Sequence, residues 1–209
     1  MPPSFLYFDL GNVLLTFDND RMCRQMATVY GVSAEEMRQT IFATGDHTDL
    51  QWRFEAGQVS EEEYLAQLAE RFGVQPDRNE LEHAASDIFG PIEATMQLAT
   101  RLAERGYPLG LLSNTNPFHW RFVLDGRFPV LNSAFTVHAT SFAAQSMKPD
   151  PVIYKFAVEQ AGVDPGDIFF TDDRLENVAG AKAAGFDAVP FTSTEQLLDD
   201  LRQRGIEVD

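Results

Sequence analysis

The sequence predicts an α/β protein: a mostly parallel sheet with helices on both faces, and an all-helical unit inserted after the first strand. Three observations predict it. Short, continuous apolar runs recur along the chain, the pattern of strands covered on both sides. Amphipathic segments that stop at glycine separate most of these runs, so strands and helices alternate. The stretch from Asp18 to Gly90 breaks the alternation, with helix signals and no strand signal.

Ser4 to Leu10 reads as the first strand, through Phe5, Leu6, Tyr7 and Phe8. Ser33 with Glu36, and Ser60 with Glu63, are two capping-box signatures in the inserted stretch. Gly31, Gly57 and Gly73 punctuate it. Pro91 to Arg105 carries Ile92, Met96, Leu98, Ala99 and Leu102 on one apolar face and ends at Gly106. Pro108 to Leu112 is the next strand, then Ala134 to Val137, Asp167 to Phe170 and Ala188 to Phe191. The helices between and after them are Asp150 to Ala161, with Pro151 in its first turn, Leu175 to Ala184, and Ser193 to Arg204. Gly162, Gly185 and Gly205 follow these three. The arrangement is Rossmann-like, with residues 1–17 and 91–209 as the core and 18–90 as an all-helical inserted domain. No internal repeat or low-complexity segment is present.

Composition excludes several partners. Among 209 residues, 16 are Lys or Arg and 32 are Asp or Glu, a formal charge of −16. Duplex-coating proteins need basic residues to neutralise phosphates, and so do polybasic membrane surfaces. Neither a nucleic acid nor a membrane is therefore an expected partner. Hydrophobic residues at 44%, with 17 Phe, can build a core, which argues against disorder. The stretch 18–90 holds 15 acids and 6 bases, over half of the acidic excess. There are 13 Arg but only three Lys: Lys148, Lys155 and Lys182. A lone Cys23 cannot form an internal disulfide, and it lacks a neighbouring His or Cys that would activate it. No apolar run has membrane-spanning length, and the first residues lack a signal-peptide pattern. The expectation is a cytoplasmic protein, a monomer or a homodimer.

Ligands of parallel α/β sheets bind at the carboxyl ends of strands, near the switch in strand order. Polar residues gather at three such ends: Asp9, Ser113-Asn114-Thr115-Asn116 and Asp172-Asp173. Lys148-Pro149-Asp150 adds a loop just before a helix. In order and spacing these resemble the haloacid dehalogenase-like hydrolase superfamily. Phe8-Asp9-Leu10-Gly11-Asn12-Val13-Leu14 resembles its first motif, and Leu111-Leu112-Ser113-Asn114 its second. Lys148-Pro149-Asp150 resembles the third, and the run from Phe169 to Ala181 the fourth. The resemblance covers nearly the whole chain, because the helical insert sits where this superfamily carries its cap.

The resemblance implies a Mg²⁺-dependent phosphatase acting on a small phosphorylated metabolite, with a sugar phosphate as the leading class. It implies Asp9 as the nucleophile, attacking phosphorus to give an acyl-phosphate intermediate. A carboxylate attacking an anion needs its charge offset, and Mg²⁺ prefers oxygen ligands. Asp9, Asp172 and the Gly11 carbonyl would bind it, with Asp173 and Asn177 around its water shell. Lys148 would neutralise Asp9 and the phosphoryl group, which the Ser113 hydroxyl and the Asn114 backbone N–H would hold.

Gly11 departs from the family. Most of its phosphatases carry Asp two residues after the nucleophile, where it transfers protons, a function worth roughly 10²–10⁴-fold. The Asp-Leu-Gly-Asn-Val form resembles a branch that includes bacterial glucose-1-phosphate phosphatases. A good leaving group would lessen the need for an acid. We take that explanation, an anomeric or acyl phosphate being such a substrate; among substitute acids Asp18 is the best candidate, beside Asp20 and His119. In the cap, Arg53 of Trp52-Arg53-Phe54-Glu55-Ala56-Gly57 is a candidate contact to substrate, against the plainer reading of Trp52 and Phe54 as cap core. Met22 and Met26 read as core. His47, His83 and His138 have no metal-ligand spacing, and Arg174 reads either as surface or as a rim contact. Two alternatives stay open: a metal-independent 2-haloacid dehalogenase, and a binding or regulatory protein weakened at Gly11.

Overall fold

A computed structural model describes residues 2–43 and 48–208, so His47 lies outside the described residues. The first strand, β1 (Phe5–Phe8), is followed by a two-stranded antiparallel ribbon of β2 (Leu15–Phe17) and β3 (Phe89–Pro91). Between the ribbon's strands run α1 (Asn19–Tyr30), α2 (Ala34–Ile41), α3 (Leu50–Glu55), α4 (Glu61–Phe72) and α5 (Arg78–Ser86). After it come α6 (Glu93–Glu104), β4 (Leu109–Ser113), α7 (Pro117–Val123), α8 (Pro129–Ala134), β5 (Val137–Thr140) and α9 (Ser141–Ala144). The chain closes with α10 (Pro151–Ala161), β6 (Ile168–Asp172), α11 (Leu175–Ala183), β7 (Asp187–Pro190) and α12 (Thr194–Gln203).

The main sheet is parallel, in the order β5-β4-β1-β6-β7. This is the α/β arrangement the sequence predicts. Its strands read as unbroken apolar runs because both faces are covered. Leu6 and Phe8 point into one cluster with Leu98 and Leu102 of α6 and Leu197 and Leu201 of α12. Phe5 and Tyr7 point into the other, with Ile153 and Tyr154 of α10 and Val178 of α11. The chain runs from β1 outward to β4 and β5, then returns past β1 to β6. The carboxyl ends of β1, β4 and β6 therefore meet where the order switches, the crevice in which such sheets bind ligands.

Helices α1–α5 enclose a third cluster, with Met22, Met26, Ile41, Phe54, Tyr64, Leu68 and Leu81 at its centre. Phe118 of α7 enters this cluster from the other side, packing edge-on to Phe54 at 5.0 Å. Both capping boxes form: the Ser33 and Ser60 hydroxyls accept the backbone N–H of Glu36 and Glu63, whose carboxylates accept in return. Among the described residues, no helix is long and apolar enough to cross a membrane.

Three local expectations change. β3 spans Phe89–Pro91, where the sequence suggested a loop and a helix start, because a three-residue Phe-Gly-Pro strand carries turn residues and pairs only with β2. The strand expected at Ala134 to Val137 is Val137–Thr140. Ala134 instead ends α8, and it is buried with Phe135 beneath the sheet. Helices α7, α8 and α9 carry no expectation, being too short for an amphipathic period to register.

Gly110 sits in β4 beside β1. A Cβ there would lie 2.5 Å from Tyr7 Cε1 and 2.8 Å from Phe5 Cε1. Overpacking of a filled core costs typically about 1–3 kcal/mol. Gly110→Ala should lose that much in urea unfolding; an unchanged midpoint would show that the two rings yield freely.

Candidate active site

Strand ends assemble the site. Asp9 follows β1, Ser113 ends β4 and Asp172 ends β6, and all three are buried. Lys148 precedes α10 and reaches in beneath them, with its side chain only 1% exposed. Its ammonium has three donors, and three acceptors take them: Asp9 Oδ1 at 2.8 Å, Asp172 Oδ2 at 2.6 Å and the Leu112 carbonyl at 2.8 Å. The Asn114 side chain clamps the Lys148 backbone from both ends, accepting its N–H at 2.8 Å and donating to its carbonyl at 3.0 Å.

Asp172 is held on every side. The Arg174 backbone N–H donates to Oδ1 at 2.8 Å, and the Asn177 amide donates to both oxygens at 3.0 and 3.1 Å. Asp173 accepts from the Asn12 amide at 3.0 Å, and Asn12 reaches it from a left-handed backbone with φ 55. Oxygens of Asp9, Asp172 and Asp173 all lie within 4.8 Å of one another. An all-oxygen carboxylate set suits a hard divalent cation such as Mg²⁺. A cation taking an Asp172 oxygen competes there with the Asn177 amide, the longest of those contacts.

The electrostatics follow from burial. Burial pushes the Asp9 carboxyl up to about 7, against the lowering pull of Lys148, and Asp172 adds to the rise. Burial disfavours the Lys148 ammonium, but Asp9 and Asp172 outweigh it and hold its pKa above the ordinary lysine value. The lysine is charged, and the two carboxylates compete for it.

A cavity of about 240 Å³ opens above this cluster. Its sheet side includes Asp9, Gly11, Ser113, Asn114 and Lys148, and its helical side Asn19, Phe42 and Glu55. A larger surface depression between α4 and α7 lies elsewhere. Its Arg78 and Arg121 are both engaged by Glu61 and Glu82, and Arg78 by Glu62 as well, so neither cation is free for an anionic ligand.

Several expected site residues fall elsewhere. Asp18 caps α1, where Oδ1 accepts the Arg21 N–H at 2.8 Å, and it does not line the cavity. A good N-cap at the start of α1 holds its carboxylate on the helix end. Asp20 pairs with Arg38 on the outer surface of the helical layer. Arg53 does not line the cavity either, and its charge acts on Glu63. Arg174 lies on the cavity rim and pairs with Glu176. His119 does line it, but both ring nitrogens are engaged: Nδ1 with the Asn116 amide at 3.1 Å, and Nε2 with the Ala85 carbonyl at 3.1 Å. Burial drives its pKa down to about 4, so it stays neutral and structural.

Sequence reasoning missed Glu55. It ends α3 and lines the cavity, and burial pushes its carboxyl up to about 6 while Gln51 and Asn116 pull the other way. The signal was present: an acid one residue from a Gly-containing turn, Glu55-Ala56-Gly57, just before a capped helix.

The haloacid dehalogenase-like hydrolase family matches residues 7–185, so this chain belongs to that family of hydrolases. It is 25% identical over 186 residues to D-ribitol-5-phosphate phosphatase of Bacteroides thetaiotaomicron, covering 87% of this chain and 88% of that one. It is 26% identical over 202 residues to flavin mononucleotide hydrolase 1 of Arabidopsis thaliana, covering 95% and 78%. A HAD family enzyme of Bacteroides thetaiotaomicron, solved with magnesium and inorganic phosphate, superposes with a TM-score of 0.77 at 25% identity, covering 91% of this chain and 94% of that one.

Two tests follow from the buried charges. Lys148→Met leaves two buried carboxylates without their cation, and removing one partner of a buried pair costs about 3–5 kcal/mol. Urea unfolding without divalent metal should show that loss, and a smaller effect would mean water already solvates the cluster. His119 has a folded-state pKa below its unfolded value of 6.5. The unfolded chain therefore binds more protons between these values, and stability falls as pH drops through that window. Relative to His119→Gln, the wild type should lose about 3 kcal/mol between neutral pH and about pH 4. A constant difference across that range would show that the ring is not held neutral.

Proposed function

We propose that this protein is a Mg²⁺-dependent phosphatase that hydrolyses a small phosphorylated metabolite through an aspartyl-phosphate on Asp9. A sugar or polyol phosphate is the substrate class we favour. The observation that carries the reading is the cluster itself: three carboxylates within 4.8 Å, with Lys148 bridging Asp9 and Asp172. Phosphoryl transfer needs positioning and charge compensation more than covalent machinery. When bound by Asp9, Asp172, Asp173 and the Gly11 carbonyl, Mg²⁺ would supply that compensation.

The chain's own residues do the rest. Asp9 attacks phosphorus, and Lys148 aims its carboxylate and opposes the rise that burial imposes on it. The Ser113 hydroxyl and the Asn114 backbone N–H hold phosphoryl oxygens at the end of β4. The Asn114 side chain serves the Lys148 backbone instead. Helices α1–α5 act as a cap over the site, and residues 18–90 are the cap's extent. The cavity of about 240 Å³ lies below the roughly 300–1,000 Å³ that holds drug-sized ligands, which favours a small sugar or polyol ester over a flavin nucleotide. The setting we propose is cytoplasmic, for a monomer or homodimer with no nucleic-acid or membrane partner.

A 2-haloacid dehalogenase is the second reading, because halide leaves without a proton and Gly11 would then cost nothing. The charge argues against it. Three carboxylates facing one ammonium repel a carboxylate substrate unless a cation sits among them. A purely regulatory role is disfavoured by the complete Asp9–Lys148–Asp172 set.

Purified protein should release phosphate from p-nitrophenyl phosphate and from a panel of sugar and polyol phosphates with Mg²⁺, and lose that activity in EDTA. Asp9→Asn should abolish it. Chloride release from 2-chloropropionate without metal would replace this reading with the dehalogenase one. Substrate binding without turnover would favour the regulatory one.

A further inference from the structure

Gly11 leaves the floor of the site without a proton-transferring group, and a side chain there would have to displace the ring of Phe17. A Cβ at residue 11 would lie 2.9 Å from Cε1 of Phe17, whose ring lines the same cavity. An apolar ring stands where an acid would have to go. Any proton donor must come from another wall.

The walls offer few. Among the described residues lining the cavity, the carboxylates are Asp9, Asp173 and Glu55. Asp9 is the proposed nucleophile, and Asp173 sits in the metal cluster, held by Asn12. His119 has both nitrogens engaged. Glu55 is the one carboxylate that enters from the helical side. In-line displacement puts the leaving oxygen opposite the attacking one, away from Asp9 and toward that side.

Glu55 is also built in. The Gln51 amide donates to its Oε1 at 2.8 Å, and the buried Tyr64 hydroxyl orients Gln51 at 3.0 Å. Asn116 lies beside the same carboxylate and works against the rise that burial causes. The backbone is pinned as well: the Glu55 carbonyl accepts from the buried Ser141 hydroxyl at 2.7 Å, and that oxygen also bonds Thr115 N at 2.9 Å, beside Ser113 and Asn114. Gly57, at φ +66, brings the turn so close that a Cβ would meet the Phe142 carbonyl at 2.5 Å. Among the described residues, no cation pairs with the Glu55 carboxylate. Side chain and main chain both fix this acid at the helical wall of the cavity that Asp9 also lines.

We propose that Glu55 is the general acid and base of this site, taking the place of the missing aspartate; the inference rests on the phosphatase reading. In the first half-reaction Asp9 forms a bond to phosphorus, the bond from phosphorus to the leaving oxygen breaks, and the Glu55 proton passes to that oxygen. In the second, the Glu55 carboxylate takes a proton from water as that water attacks phosphorus, which frees Asp9 and inorganic phosphate and reprotonates Glu55. The proton count closes over one turnover. A carboxyl poised near neutrality suits both halves.

Glu55→Gln tests this, since it keeps size and hydrogen bonding but carries no exchangeable acid. With p-nitrophenyl phosphate, whose leaving group needs no proton, the variant should release a stoichiometric burst of p-nitrophenol. Steady turnover should then run about 10²–10⁴-fold below wild type, because water activation is lost. With alkyl phosphates such as glycerol phosphate or ribitol 5-phosphate, no burst should appear, and the first turnover itself should slow by about the same factor. Glu55→Asp, with the acid on a shorter stem, should recover part of that rate. Equal losses on both substrates without a burst, or wild-type turnover of alkyl phosphates, would overturn the proposal. So would a wild type confined to good leaving groups, which needs no acid. Failure of the phosphatase reading shows separately, as a wild type silent on every phosphoester or an Asp9→Asn variant that keeps its rate, and it removes both.

Discussion

One buried ammonium, Lys148, holds the site together. Its three donors meet groups at the ends of three different elements: Asp9 after β1, the Leu112 carbonyl near the end of β4, and Asp172 at the end of β6. Each partner alone would be costly, since a buried ion without compensation is strongly disfavoured. Together they tolerate burial only if the strand ends line up. The register supplies that: Phe8 pairs with Leu111 on one side and Thr171 on the other, so the residues that follow stand side by side. A slip by one residue would turn every side chain of β1 to the opposite face and break the triad. The same three contacts thus report on register, burial and chemistry at once.

The helical layer is tied to this centre by contacts of two kinds. Apolar contact comes from Phe118, which belongs to α7 but packs edge-on against the stacked rings of Phe54 and Tyr64. Charge contact comes from Arg121 of α7, which pairs with Glu61 of α4 and Glu82 of α5, while Arg78 joins both acids. Single exposed pairs contribute little, but a bidentate arginine within a network is the arrangement that does contribute. The net charge of −16 looks different from this position. Much of the excess acid lies on the layer's surface. Around the reacting centre the sheet side supplies a lysine, and the layer supplies a single acid.

The fold was legible in the sequence because its strands are doubly covered and its helices stop at glycine. Both signals survive without knowledge of tertiary contacts. The floor of the site was legible for a related reason. Asp9, Ser113, Asp172 and Lys148 sit at strand ends or a helix start, where topology alone forces them together. The roof was not. Arg53 and Glu55 are two residues apart on a six-residue helix, and only the docking of α3 on α9 decides which of them faces the cavity. Asp18 misled because proximity to the first motif along the chain is not proximity in space. Its carboxylate is taken by the start of α1. The ribbon of β2 and β3 escaped because pairing between residues some seventy positions apart leaves no local period.

Gly11 and Phe17 make better sense as a pair than either does alone. The glycine lets the half-exposed Phe17 ring approach the first motif, and the ring then crowds any larger side chain at residue 11. An acid on the floor would stay beside the nucleophile whether or not the helical layer were docked. An acid on the roof is different. Glu55 reaches the centre only while Ser141 holds its carbonyl and Gly57 lies against Phe142. Proton transfer then becomes conditional on the layer sitting in place, and so on whatever substrate the closed cavity admits. Moving one carboxylate from floor to roof couples chemistry to closure, with no additional moving part.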